Sequence, residues 1–346
     1  MNIEKKILIL VVIVIFSAIL YNLMKTRSIL KASVENFSLM NSAQSELTAM
    51  TVVDVGAGVL SIETADTSIT NLPLREFCVK SSFNSACTGS YMNVLAVTYV
   101  LSRGCRFLDF EVYLINDVLC VGVSTNPLTG SQNITSSNTI PLDTALRQVI
   151  ASGFSAPSPN ANDPIFVRIR LQVAGTDTVT SGVYKKASMV IQTTLGNRLY
   201  SGLVTSDTLL SSLMSTVVLV WDKTSSPGYI TEPALTALVN IESGGDSMRT
   251  FTNKSISTQS LSPPHIHDDN LTSDVVLIRS VSPDNTERTT INPINTSLIS
   301  EHGVQYVCNR FYITDANLTS YEKFFKYNRY AFIPFSQAIP YAAISQ

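Results

Sequence analysis

The chain has 346 residues, 24 basic and 26 acidic, a formal net charge of −2, and only 14% charged residues against 45% hydrophobic ones. That hydrophobic content excludes an intrinsically disordered chain, and the near-neutral balance excludes a general nucleic-acid binder, which needs a basic face to neutralise phosphates. Histidine is scarcer still, with only His265, His267 and His302, so no chemistry can draw a histidine from the first two thirds of the chain. The five cysteines, Cys78, Cys87, Cys105, Cys120 and Cys308, are odd in number, widely spread and without a C-x-x-C pair. They read as buried thiols, and neither a disulfide framework nor a zinc site is expected.

In chain order, residues 7–24 carry no charge. At about 1.5 Å per residue they span roughly 27 Å, the thickness of a bilayer core. Lys5 and Lys6 flank one end and Lys25, Arg27 and Lys31 the other. A cleaved signal peptide would want a shorter apolar core and an A-x-A-like site, neither of which is present, so residues 1–27 are expected to be a retained single transmembrane anchor. Basic residues on both flanks leave its orientation open. Residues 28–73, rich in Ser, Thr and Ala, read as a stalk, and residues 74–346 as the folded domain.

Within that domain, strands are expected at 77–83, 105–113, 117–123, 164–173 and 216–221, with further extended segments at 235–241, 275–278 and 305–311. Helical spacing of apolar residues falls at 92–100, 142–150 and 184–199, between strands. Strand and helix alternating over so long a stretch predicts an α/β fold, a parallel sheet with helical crossovers. The number of units favours a closed (β/α)8 barrel over an open sheet.

Several motifs along this domain resemble those of the phosphoinositide-specific phospholipase C catalytic barrel, a TIM-type fold. Ser82-Phe83-Asn84-Ser85-Ala86 followed by Thr88-Gly89 is similar to that family's S-H-N-T-Y…T-G. Arg103-Gly104-Cys105-Arg106-Phe107-Leu108-Asp109-Phe110-Glu111 is similar to its R-G-C-R-x-x-E-x-D, and Val121-Gly122-Val123-Ser124 stands where it has H-G-H-T. Pro164-Ile165-Phe166-Val167-Arg168-Ile169-Arg170 resembles its P-V-I-L-S-L-E strand. Leu277-Ile278-Arg279, Asn292-Pro293 and residues 303–309 resemble its L-x-R, N-P and G-x-Q-x-V-x-N signatures.

The resemblance implies cyclisation of an inositol phosphodiester by two histidines, assisted by a Ca²⁺ held on oxygen ligands. Here the histidine positions fall on Phe83 and Val121, which cannot transfer a proton, so no catalytic residue is expected. The metal-ligand positions fall on Asn84, Asp109, Glu111 and Arg170; the first three still offer oxygen, while the last is a cation that would repel Ca²⁺. The family's paired lysines fall near Val220 and Asp222 and are lost, and Ser243 and Arg279 align with ring- and phosphate-contacting positions. Strand alternation puts Phe107, Asp109 and Glu111 on one face of their strand, and Phe166, Arg168 and Arg170 on one face of theirs. The expectation is that Arg170 fills the vacated metal position and pairs with Asp109 and Glu111, with a solvent-facing strand end as the competing arrangement.

His265-Ile266-His267-Asp268-Asp269 has metal-ligand residue types but sits in a Pro- and Ser-rich stretch, and reads as a solvated loop. Six N-x-S/T sequons occur, at Asn36, Asn133, Asn253, Asn270, Asn295 and Asn317, and the aromatic-rich tail at 321–341 is either a closing barrel helix or a protein interface. The function expected is a membrane-anchored, catalytically inactive phospholipase-C-like barrel acting as a structural or interaction protein, of the kind that links membrane and shell in a large DNA virus particle. The alternatives are a phosphodiesterase with altered catalytic groups, the only case in which a calcium cofactor is expected, or a phosphoinositide-headgroup binder without turnover. Expected partners are the membrane, through residues 7–24, and other structural proteins, with no nucleic acid.

Overall fold

The computed structural model describes residues 41–51, 62–125, 134–173, 180–261, 263–266, 272–284 and 291–344. The chain divides into two compact units, residues 1–45 and 46–346; of the first, the described residues 41–45 are helical. The expected anchor at 7–24 lies outside the described residues, and among those described no helix is long and apolar enough to cross a membrane.

The larger unit is built on strands β1 (Phe77–Ser82), β2 (Phe107–Ile115), β3 (Val118–Val121), β4 (Ile140–Pro141), β5 (Ile165–Gln172), β6 (Val217–Asp222), β7 (Ile241–Ser243), β8 (Met248–Thr252), β9 (Ile278–Ser282), β10 (Tyr306–Asn309) and β11 (Phe332–Pro334). Eight of them, β1, β2 and β5 to β10, run parallel in a continuous ring that closes where Ser81 of β1 meets Phe107 of β2. The antiparallel strands β3 and β4 extend from the C-terminal half of β2, and β11 pairs antiparallel with the N-terminal half of β1.

Period-two alternation explains the barrel wall. All eight residues of β5 are buried, because Ile165, Val167, Ile169 and Leu171 face the helices while Phe166, Arg168 and Arg170 face inward. Helix Leu142–Gly153 shows the matching 3.6-residue pattern, burying Leu142, Ala145, Leu146 and Val149. The helix packs close against β5 at its last residue, Gly153, where a Cβ would crowd Ile165 Cδ1.

Three expectations are corrected. The folded unit begins at Glu46, not at residue 74: Leu47, Met50, Ile62, Ala65 and Ile69 are buried in its core, their apolar spacing diluted in sequence by Ser and Thr. The segment expected to be extended at 235–241 instead begins inside a helical turn, Pro233–Thr236. Strand β8, with the polar sequence MRTFT, was not expected from its composition, since only its barrel neighbours make it a strand. The aromatic tail proves to be a closing element, with Tyr321, Phe324, Phe325, Phe332 and Phe335 all buried.

Beneath the N-terminal end of the barrel, Arg106 donates to Gly153 O (2.9 Å), Ser158 Oγ (2.6 Å) and Asn160 Oδ1 (2.8 Å). Asp163 beside it accepts from Ala65 N (2.8 Å) and Asn160 Nδ2 (3.0 Å), tying the leading segment to the barrel. Burial pushes the Asp163 carboxyl up to about 6, against the opposing charge of Arg106. A carboxyl raised in the folded state favours the protonated form, so the stability it contributes is full below the unfolded value near 3.8 and is lost as pH rises through about 6. Asp163→Asn is therefore expected to remove a fall in stability on the order of 3 kcal/mol between pH 4 and 6, read by denaturant unfolding at stepped pH. An unchanged pH profile would contradict this assignment.

Candidate functional site

The C-terminal ends of parallel barrel strands form the mouth, where barrel sites are built. In the β2–β5 register Asp109 stands beside Arg168 and Glu111 beside Arg170, and all four side chains point inward. Asp109 and Glu111 are fully buried, and Arg168 and Arg170 are 1% and 7% exposed, which rules out the solvent-facing strand end.

Arg170 occupies the centre of the group. Its Nη1 donates to Glu111 Oε2 (2.9 Å), its Nη2 to Asp109 Oδ2 (2.9 Å) and Asn84 Oδ1 (2.6 Å), and its Nε to Asp109 Oδ1 (3.0 Å). Arg168 Nε reaches the same Asp109 Oδ1 at 2.6 Å, and its Nη2 donates to Ser282 Oγ at 2.8 Å. Asn84 turns the chain after β1 with a φ of +48°, a left-handed conformation that Asn tolerates better than most residues. The turn presents its side-chain oxygen to Arg170 while its amide donates to Asp109 Oδ2 (3.2 Å). Phe83, in the first histidine position, lies under the guanidinium groups of Arg170 (4.7 Å) and Arg310 (5.6 Å), a cation–π arrangement.

Burial alone would raise the Asp109 carboxyl, but the charges of Arg168 and Arg170 outweigh it and hold the group below the usual aspartate value. Burial likewise disfavours the charged guanidiniums, and the carboxylates reverse this, raising both arginines. Glu111 also accepts from Ser124 N (3.0 Å) and from the Tyr113 hydroxyl. Burial and the neighbouring Glu111 push the Tyr113 phenol upward. The buried Val121, in the second histidine position, ends β3, and the next amide, Gly122 N, bonds Glu111 O at 3.0 Å.

These residues do not fit a calcium ion. Ca²⁺ takes six to eight oxygen ligands, whereas the inward oxygens of Asn84, Asp109 and Glu111 already receive hydrogen bonds from a fixed cation in their midst. Among the described residues, no group of three or more His, Cys, Asp or Glu side chains is placed to hold a metal. His265 lies within the described residues and His267 outside them.

Two further sequence-derived site positions are placed by the structure. Arg279 points away from the mouth: alternation along β9 turns Ser280 and Ser282 inward, and Arg279 Nη1 donates to His302 O (2.7 Å) behind the barrel wall. Ser243, the register partner of Asp222, is fully buried with its Oγ toward Trp221 O (3.5 Å). Conversely, Arg168 joins the cluster; its inward phase was legible from alternation, but its tie to Asp109 depends on strand register. The sequons also divide: Asn295 is buried, Asn317 Nδ2 donates to Asn292 O (2.6 Å), Asn253 is half-buried, and Asn36, Asn133 and Asn270 lie outside the described residues.

Next to the arginines a cleft of about 410 Å³ opens at the mouth. It is lined by Phe83, Arg168, Arg170, Gln172 and Asp222, by the hydroxyl-bearing Thr224, Ser225, Thr250, Thr252, Ser255 and Ser282, and by Phe251 and Pro283.

No family model matches the chain, and no curated protein matches it in sequence. Among solved structures it is similar to PLC21 of S. officinalis, at 14% identity and a TM-score of 0.57, over 77% of this chain and 37% of that one. It is equally similar to PLC21 of L. pealei, at 13% identity and a TM-score of 0.58, over 78% of this chain and 38% of that one. A calcium-dependent phosphoinositol-specific phospholipase C from Pseudomonas sp also matches, at 12% identity and a TM-score of 0.38, over 62% of this chain and 78% of that one. The chain thus spans well under half the length of the two PLC21 proteins. With the closed ring of eight parallel strands, the likeness defines the architecture as a phospholipase-C-like TIM barrel.

Proposed function

We propose that this chain is a non-catalytic phospholipase-C-like barrel, held at a membrane through residues 7–24 and acting there as a structural or interaction module. The observation that carries this reading is the Arg170 guanidinium among Asn84, Asp109 and Glu111. A site that cyclises a phosphodiester needs a proton acceptor, a proton donor and a stabiliser of developing negative charge. Phe83 and Val121 supply neither proton-transfer group, and Arg170 and the three side chains it binds are spent on one another. The low share of charged residues leaves a Ser-, Thr- and Asn-rich chain that is easier to desolvate against neighbours than a Lys/Glu-rich one. That property suits a packed assembly, and a large DNA virus particle with an internal membrane is the setting we infer for it.

The test is an assay of the full chain, in detergent micelles containing phosphatidylinositol, with and without millimolar Ca²⁺. The expected result is no inositol phosphate above the protein-free blank, and no heat of calcium binding by titration calorimetry. Release of inositol phosphate would overturn the reading, as would stoichiometric calcium binding abolished by Asp109→Asn.

A further inference from the structure

The Thr88-Gly89 motif takes no part in the arginine cluster and holds a different group. Cys87 N donates to Asn84 O (2.8 Å), so the chain continues directly from the residue that faces Arg170 into a tight hairpin. Cys87 and Met92 form an isolated antiparallel bridge, and Thr88 N donates to Tyr91 O (2.9 Å). This turn receives the carboxylate of Glu46. Its Oε2 accepts from Ser90 N (2.9 Å), Tyr91 N (3.2 Å) and Thr88 Oγ1 (2.8 Å), the last being the shorter of that hydroxyl's two acceptor contacts. Its Oε1 lies 3.2 Å from Ser90 N. Gly89 has a φ of +132°, and a Cβ there would stand in contact with Glu46 Oε2 at 3.4 Å. Each of these donors is uncharged; successive backbone N–H groups of a turn bind an anion without a cation.

Little else holds the segment that carries Glu46. Residues 46–51 are helical; Leu47 and Met50 are buried in the core cluster, while Thr48, Ala49 and Thr51 are exposed. The Tyr99 hydroxyl adds one contact, 3.4 Å to Met50 O. A segment with so few buried apolar side chains sits at the low-stability end of a fold and opens locally before the rest.

We propose that Thr88–Tyr91 is a carboxylate-binding site on the rim of the barrel mouth, and that Glu46 occupies it in cis, making residues 46–51 a releasable strap. The strap closes when the Glu46 carboxylate enters the turn. When it leaves, the same three donor groups are open to another carboxylate, of which acetate is the minimal form.

The test is hydrogen exchange and thermolysin cleavage of the full chain in detergent micelles. Glu46→Ala, which introduces a better helix former, is expected to speed exchange of the amides at 88–91 at least about tenfold and to open 46–51 to cleavage. Glu46→Gln, which keeps the side-chain length and one acceptor oxygen, is expected to fall between. Sodium acetate is expected to slow exchange at 88–91 in the alanine variant, and sodium chloride at the same ionic strength to leave it fast. That response also excludes misfolding, since an added anion cannot protect an unfolded turn. Adding Thr88→Val, which removes one donor and keeps the side-chain shape, is expected to weaken the acetate effect. The proposal is overturned if neither Glu46 variant changes exchange or cleavage, or if acetate protects 88–91 no better than chloride. Neither readout involves a phosphodiester, so the outcome is independent of whether the barrel turns over lipid.

Discussion

Replacing Arg170 by methionine is expected to lower the stability of the barrel by about 3–5 kcal/mol, the cost of stranding buried charges by removing their partner. Asp109 and Glu111 are both fully buried, and Arg170 supplies bonds to each of them and to Asn84. Without it, Glu111 keeps the Tyr113 hydroxyl and Ser124 N, and Asp109 keeps Arg168 and Asn84 N. That remaining network carries one guanidinium against two carboxylates. Arg170→Lys is expected to recover only part of the loss, because an ammonium cannot reproduce the planar fork that reaches three side chains at once. Thermal unfolding of the full chain is the measurement, with a fall in midpoint on the order of 10 °C for the methionine variant. A loss below about 1 kcal/mol, the scale of an exposed pair, would show that the cluster is solvated and that Arg170 does not hold the site together.

Asp109→Asn is expected to cost a similar amount at neutral pH, on the order of 3–5 kcal/mol, because the carboxylate is the shared counter-charge of Arg168 and Arg170. It also carries a pH signature that a simple packing defect would lack. The two guanidiniums hold the folded-state carboxyl below the usual aspartate value of 3.8. For a depressed acid, the stabilisation is present above the unfolded value and is lost as pH falls through the folded one. The native chain should therefore lose stability steeply below about pH 4, while the asparagine variant starts lower at pH 7 and shows a shallower acid limb. Denaturant midpoints from pH 7 down to pH 3 read both. Parallel curves for the two proteins would mean that Asp109 is not the group that titrates against the arginines. This acid limb is separate from the Asp163 effect, which has the opposite sign and lies between pH 4 and 6.

The two carboxylates and two arginines show how far the site was legible. Alternation along 105–113 and 164–173 placed Asp109, Glu111, Arg168 and Arg170 on inward faces, because a strand's side-chain period is two whatever it pairs with. Alternation cannot say which inward residue lies beside which, and the β2–β5 register that sets Asp109 beside Arg168 is a property of the assembled sheet. Arg279 failed for a related reason. A motif match placed it at a phosphate-contacting position, whereas the phase of β9 turns it outward to His302 O. Thr250 and Ser282 gave no signal, and Asp222 entered only as a position near which the family's lysines are lost, since single polar residues at strand ends become a cleft only when four strands converge.

By itself the sequence determined the alternation of strands and helices, the inward faces of two strands, and the absence of any histidine where the resemblance requires two. Those are local or compositional properties, fixed by the order of residues along one segment. Only the tertiary structure decided that the ring closes at Ser81 and Phe107, that MRTFT is a strand, that residues 46–73 contribute to the core, and that one guanidinium satisfies three side chains from a neighbouring strand and a turn. Each of these depends on contacts between residues far apart in the chain, where partner and register, and not local propensity, set the free energy.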